Sequence, residues 1–148
     1  MPTQPVVSIY TDGSCKPNPG PGGWAAIVIT ADKQERHLSG GESRTTNNRM
    51  ELTAAIEALK SIGKPAAIQL YTDSQYLHRG ITEWLPNWIK RNWRSTSGQV
   101  ANQDLWKELV ALQDKHKIQW RWTKAHVGTK YNEMADQLAR QAMQKHKK

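Results

Sequence analysis

Apolar and polar positions follow two different periods along this 148-residue chain. Val6 to Thr11 is a short β-branched and aromatic run that predicts a first strand. Gly20-Pro21-Gly22-Gly23 breaks the chain, and Trp24 to Thr30 reads as a second strand. A polar turn at Ala31 to Lys33 leads to a third strand, about Glu35 to Gly40, giving an antiparallel meander. The period then changes. Leu52, Ala55, Ile56, Leu59 and Ile62 recur at helical spacing and predict a helix from about Thr46 to Ile62. Thr46 or Asn48 can cap it, and Gly63-Lys64-Pro65 ends it.

Ala67 to Thr72 reads as a fourth strand, followed by short helices over Ser74 to Lys90 that Gly80 and Pro86 interrupt. Ser95 to Gln99 is a polar loop, and Asn102 to Lys115 a helix carrying Leu105, Leu109 and Leu112. A fifth strand, Ile118 to Thr123, leads through a Gly-containing loop to a last helix, about Asn132 to His146, and a basic tail at about 144–148. Strand–helix–strand units require right-handed crossovers and parallel pairing, so the expected fold class is α/β with a mixed sheet.

Composition narrows the class. Apolar residues make up 37%, and seven Trp and four Tyr add large side chains, enough for one core and one domain over 1–148. Apolar runs are only a few residues long, as at Trp24 to Ile29, so no membrane span or signal peptide is expected. The single cysteine, Cys15, excludes an intrachain disulfide framework and a multi-thiolate zinc site, and a cytoplasmic location is the expectation.

Charge adds a hint of function. The net charge is +8, which suits solubility or a polyanionic partner. Between Lys115 and Asn132 lie Lys115, Lys117, Arg121, Lys124 and Lys130 with no acid, and Trp84, Trp88, Lys90, Arg91, Trp93 and Arg94 interleave indoles with cations. Such a mixture suits a nucleic-acid groove.

Two tetrapeptides echo one another, Tyr10-Thr11-Asp12-Gly13 and Tyr71-Thr72-Asp73-Ser74. Each places an aspartate at the C-terminal end of an apolar strand, where ligands of open α/β sheets gather. If those strands are parallel neighbours, about 4.8 Å apart, the carboxylates converge and need an intervening cation, either a lysine or a divalent metal. Taken singly, each aspartate also reads as a turn or cap residue. Glu51 reads equally as a capping-box partner of Asn48, and Asp136 as a favourable charge near a helix start.

Beyond these acids, five segments occur in order: Tyr10-Thr11-Asp12-Gly13-Ser14-Cys15; Asn18-Pro19-Gly20-Pro21-Gly22-Gly23; Thr45-Thr46-Asn47-Asn48-Arg49-Met50-Glu51-Leu52; Thr72-Asp73-Ser74-Gln75-Tyr76; and His126-Val127-Gly128 with Asn132-Glu133 and Asp136. Together they span essentially the whole chain, which resembles type 1 ribonuclease H in its bacterial form. The resemblance implies a ribonuclease H-like fold, a five-stranded mixed sheet flanked by helices, with a basic protrusion at about 80–99. It implies an endoribonuclease that hydrolyses the RNA strand of RNA–DNA hybrids by two-metal-ion catalysis, leaving 5′-phosphate and 3′-hydroxyl ends. The cofactor would be Mg²⁺, two ions with substrate bound, for which Mn²⁺ can substitute.

Residue by residue, the resemblance carries the catalytic and metal-holding acids onto Asp12, Glu51, Asp73 and Asp136, with Asp12 as the bridge, and an auxiliary proton-transfer or product-departure role onto His126. Cys15, Asn18, Asn47, Asn48 and Gln75 would face the RNA minor groove. Arg44, Thr46 and Asn102 would grip a DNA phosphate, and Trp84 and Tyr76 would rest on deoxyribose. No obligate protein partner is implied and a monomer is expected. The chain departs from the family at Pro17, at Ala125 before His126, and at Thr129-Lys130-Tyr131. The alternatives on the same residues are a binding module without catalysis and an integrase-like nuclease domain.

Overall fold

The computed structural model describes residues 6–95, 98–123 and 130–146. A five-stranded sheet forms its centre, built from β1 (Val6–Cys15), β2 (Gly20–Ile29), β3 (Glu35–Thr45), β4 (Ala67–Thr72) and an edge strand, Lys117–Trp122, which is β7 in chain order. The spatial order is β3-β2-β1-β4-β7. β1, β2 and β3 form the antiparallel meander, and β4 and β7 pair in parallel. The mixed sheet is thus as the element order predicts.

Alternation in β1 and β4 sends Val7, Ile9, Ile68 and Leu70 to one face, where α1 (Asn47–Lys60) and α4 (Gln103–Gln113) cover them with Leu52, Leu59, Trp106 and Leu109. The other face of β1, β2 and β3 is covered by α5 (Lys130–Lys145) through Ala135, Ala139, Ala142 and Met143. Thr46 Oγ1 accepts a hydrogen bond from the Arg49 amide at 3.2 Å, so Thr46, not Asn48, caps α1.

Several boundaries differ from those the sequence predicts. The Gly20–Gly23 run does not break the chain but opens β2, with an irregularity between Gly20 and Gly22. Consequently β1 continues to Cys15 and β3 to Thr45, each held by pairing to those glycines. The polar loop at 95–99 is part of a small hairpin, β5 (Arg94–Ser95) with β6 (Gly98–Gln99). Finally, α5 starts at Lys130 and runs through Lys145, so helix occupies the first two residues of the expected tail.

The interrupted stretch after β4 also differs from expectation. α2 (Gln75–Arg79), a π-helical turn (Gly80–Trp84) and α3 (Leu85–Lys90) follow one another without a break, and Pro86 sits in the first turn of α3. Gly80 has helical φ and ψ of −58° and −48°. Glycine is required there by packing: a Cβ would lie 2.1 Å from Cη2 of the fully buried Trp106. Among the described residues no helix is long and apolar enough to cross a membrane.

Gly80→Ala is expected to overpack this contact and destabilise the fold by about 1–3 kcal/mol, read as a lower urea midpoint with an unchanged slope. An unchanged midpoint would show that the Trp106 ring yields freely.

Candidate active site

The parallel pairing of β1 and β4 ends at Tyr10 opposite Tyr71. Two residues further, Asp12 and Asp73 stand beside one another, as the echo of the two tetrapeptides predicts. They are not equivalent. Asp12 lies within β1, still paired with Ala25 of β2, whereas Asp73 is the first residue past β4. Its carbonyl accepts a hydrogen bond from Trp122 Nε1 at 3.2 Å, which ties it to the edge strand.

Glu51 reaches these aspartates because α1 crosses very close to β1. A Cβ on Gly13 would sit 2.6 Å from the Glu51 amide nitrogen and 2.8 Å from the Met50 carbonyl carbon, so only glycine permits the approach. Glu51 is not a capping-box residue. It is buried, and its Oε1 has no hydrogen-bond partner. One ligand oxygen from each of Asp12, Glu51 and Asp73 lies within 4.8 Å of the other two. Asp136, on α5, hydrogen-bonds to Asp12 and pairs with Arg140 Nε at 3.3 Å. All four acids line one open cleft of about 400 Å³ with Asn47, Asn48, Gln75, Tyr76 and Arg140.

Burial pushes the Asp12 carboxyl up to about 8, helped by the Asp73 charge and by Asp136, while the Gly13 amide partly offsets the rise. Burial likewise holds Glu51 well above the carboxylate range, with the charges of Asp12 and Asp73 adding to it. A set made only of hard oxygen donors, including one buried and unpartnered, fits a divalent cation. Among the described residues no lysine lines the cleft; the cation there is Arg140, engaged at its edge with Asp136.

The remaining predicted residues fall into two groups around this cleft. Asn18 Oδ1 accepts from the Asn47 amide at 3.2 Å, joining the β1–β2 turn to the start of α1. Cys15 Sγ lies 3.3–3.5 Å from the carbonyls of Pro17, Gly20 and Thr45. Its thiol is pushed up by burial and stays protonated. Asn102, in the left-handed region at φ 60°, donates to Tyr76 Oη at 3.0 Å and accepts from Arg49 Nη1 at 3.2 Å. Trp84 meets the Tyr76 ring edge-on at 5.8 Å between centroids. Arg44 is exposed near the end of β3. His126 lies outside the described residues, as does Lys124.

Two residues escaped the sequence reading. Arg140 stands one helical turn after Asp136, a spacing that itself signals the pair. Arg49 links the Thr46 cap to Asn102 and forms a bidentate pair with Asp104, Nη2 to Oδ2 at 2.8 Å; no local pattern announces that. The indoles of the protrusion also behave differently from expectation. Trp84, Trp88 and Trp93 pack on one another, and Trp88 meets Trp106 at 5.3 Å, so much of their area belongs to the core. Lys90, Arg91 and Arg94 remain exposed beside them.

Known proteins resemble this chain in sequence and fold. The family model described as RNase H matches residues 4–144. Ribonuclease H of Hahella chejuensis is 57% identical over 135 residues, covering 90% of each chain. Ribonuclease HI of Caulobacter vibrioides is 51% identical over 140 residues, covering 94% of this chain and 93% of its own. Among solved structures, LC9-RNase H1, described as a type 1 RNase H with the type 2 active-site motif, superposes with a TM-score of 0.89 at 36% identity, covering 99% of this chain and 75% of its own. LC11-RNase H1, solved in complex with RNA/DNA hybrid, shares the fold with a TM-score of 0.71 at 20% identity, covering 94% of this chain and 97% of its own. With its acids converging where the parallel and antiparallel halves of the sheet meet, this chain belongs to the ribonuclease H family.

Proposed function

We propose that the protein is a metal-dependent endonuclease that hydrolyses the RNA strand of RNA–DNA hybrids. The observation that carries the reading is the convergence of buried Asp12 and Glu51 with half-buried Asp73, mutually repelling, on one open cleft with Asp136 at its side. Mg²⁺ is the ion proposed, two with substrate bound, with Mn²⁺ able to substitute. When bound, such ions activate a water and stabilise the leaving oxygen of the phosphodiester. Asp12 hydrogen-bonds or crowds all three other acids, which makes it the proposed bridge; Glu51 and Asp73 complete one site and Asp136 the other.

The protein's own groups would then bind and orient the duplex. Asn47, Asn48 and Gln75 line the cleft as short polar groups suited to 2′-hydroxyls, and Asn18 and Cys15 shape the turn beside them. Arg44, Thr46 and Asn102 are the proposed phosphate grip on the DNA strand, with Asn102 held in place by Arg49 and Tyr76. Tyr76 and Trp84 offer an apolar edge to deoxyribose, where a 2′-hydroxyl would lose its hydration. Exposed Lys90, Arg91, Arg94, Lys117 and Arg121 supply the sequence-independent attraction for phosphates. His126 is assigned an auxiliary role in proton transfer or product departure. We further propose a monomer acting in the cytoplasm without an obligate protein partner.

Incubation with RNA–DNA hybrid, double-stranded RNA and double-stranded DNA, each with Mg²⁺ and with chelator, tests the reading. Cleavage of the RNA strand of the hybrid, abolished by chelator, is expected; cutting of DNA alone, or of nothing, would sink it. Asp12→Asn is expected to lower turnover more than about a hundredfold while hybrid binding survives. His126→Ala should leave a reduced but measurable rate.

The pH dependence of stability has a definite sign. With the folded Asp12 carboxyl near 8 against an ordinary 3.8, the metal-free native state binds more protons than the unfolded chain between those values. Stability without metal therefore falls as pH rises through that window, and Glu51 acts in the same direction. Added Mg²⁺ should stabilise most at the alkaline end, and Asp12→Asn should flatten the slope. Thermal melts from pH 4 to 8 with and without Mg²⁺ check this; a rising metal-free profile would contradict it.

A further inference from the structure

Outside the acids, the most ordered feature of the site region is an aromatic ladder beneath it. Tyr10 and Tyr71 are direct partners across the parallel β1–β4 ladder, and their rings stack at 4.7 Å with planes 8° apart. Tyr131, in the first turn of α5, lies on Tyr10 at 5.2 Å and 30°. Lys130 Nζ sits 5.6 Å from the centroid of the Tyr131 ring. The three rings therefore belong to the three elements that bear or directly precede Asp12, Asp73 and Asp136. Within β1, Tyr10 precedes Asp12 by two residues and so projects on the same face, while Tyr71 stands two residues before Asp73, just past the end of β4.

Asp136 differs from the other acids in how it is held. Glu51 is placed by the tight crossing at Gly13, and Asp73 by pairing and by Trp122. The ion pair of Asp136 with Arg140 is internal to α5 and cannot locate that helix against the sheet. The body of α5 seats on the sheet through three alanines, Ala135, Ala139 and Ala142, and one longer side chain, Met143, with the backbone of Ala139 and Met143 directly over Gly23. Small side chains allow close approach but fix rotation and sliding weakly. At the N-terminal end, ahead of Asp136, a planar ring on a planar ring supplies the missing restraint.

We propose that the Tyr71–Tyr10–Tyr131 stack sets Asp136 against Asp12, and that Tyr131 is a positioning residue for the divalent-cation site that Asp136 completes. The inference rests on the divalent-ion reading given above. Tyr131 touches neither ion nor substrate; it acts by locating the helix that carries a ligand. The hydroxyl has no part in it, because stacking depends on the ring.

Mn²⁺ alone is the probe, titrated into the hybrid-free protein and followed by electron paramagnetic resonance, with circular dichroism and a thermal melt for each variant. Tyr131→Ala is expected to weaken Mn²⁺ binding about tenfold or more, towards the level of Asp136→Asn, and Tyr131→Phe to retain wild-type affinity. The double variant Tyr131→Ala with Asp136→Asn should bind no more weakly than Asp136→Asn alone, because both changes act on one ligand. Should Tyr131→Ala fail to fold, Tyr131→Leu, which keeps bulk but not the plane, is measured in its place with the same expectation. A lower melting temperature with unchanged Mn²⁺ affinity, or additive losses in the double variant, would overturn the inference while leaving the metal reading intact. If the wild-type protein itself binds no Mn²⁺, or Asp12→Asn binds as well as wild type, the metal reading fails and the inference with it.

Discussion

Mutual repulsion among buried carboxylates is the constraint around which the molecule is organised. Asp12, Glu51 and Asp73 would separate if their backbones allowed it, and their backbones do not. Asp12 is fixed by its pairing with Ala25 of β2, Asp73 by the end of β4 and the Trp122 indole, and Glu51 by a helix in contact with Gly13. Left without a cation, the cluster answers by retaining protons, as the raised Asp12 carboxyl shows. A rigid scaffold that forbids relaxation is what converts repulsion into affinity for a doubly charged ion. The unfavourable term at the site is offset elsewhere, by the core of Ile9, Leu52, Leu59, Ile68, Leu70, Trp106 and Leu109.

The charge distribution completes this division. A chain of net charge +8 gathers four of its acids in one cleft and carries exposed cations on the protrusion and the edge strand. The cations act at long range and weaken with salt, whereas the acids act at contact distance and do not. A polyanion is drawn in by one set and would be repelled by the other unless metal ions stand between. Attraction and chemistry are thereby assigned to different residues.

Much of this was legible in the chain. The echo of Tyr10-Thr11-Asp12 in Tyr71-Thr72-Asp73 located two acids because parallel strands in register bring equivalent positions together. Helical spacing from Leu52 to Ile62 located α1, whose cap is Thr46, one of the two residues the sequence allowed. What stayed hidden depended on partners distant in sequence. Gly20 to Gly23 reads as a break because glycine usually is one; here it opens a strand against which α1 and α5 pack on opposite faces. Gly80 reads as a helix stop, but Trp106, some two dozen residues later, is what excludes a side chain. The Arg49 bridge and the tyrosine ladder likewise join elements that no local pattern connects.

The placement of Asp12 inside a central strand reaches further than the chemistry of one residue. Strand alternation has a period of two, so a slip of β1 by a single position would throw Asp12 into the main apolar core and take Ile9 out of it. Misregistered folding is therefore penalised through the hydrophobic interior, long before any metal could report the error. Turns and hairpins at the periphery bear no such burden. They can be lengthened, shortened or recharged to retune what the molecule grips without disturbing the weave of the sheet that holds the acids.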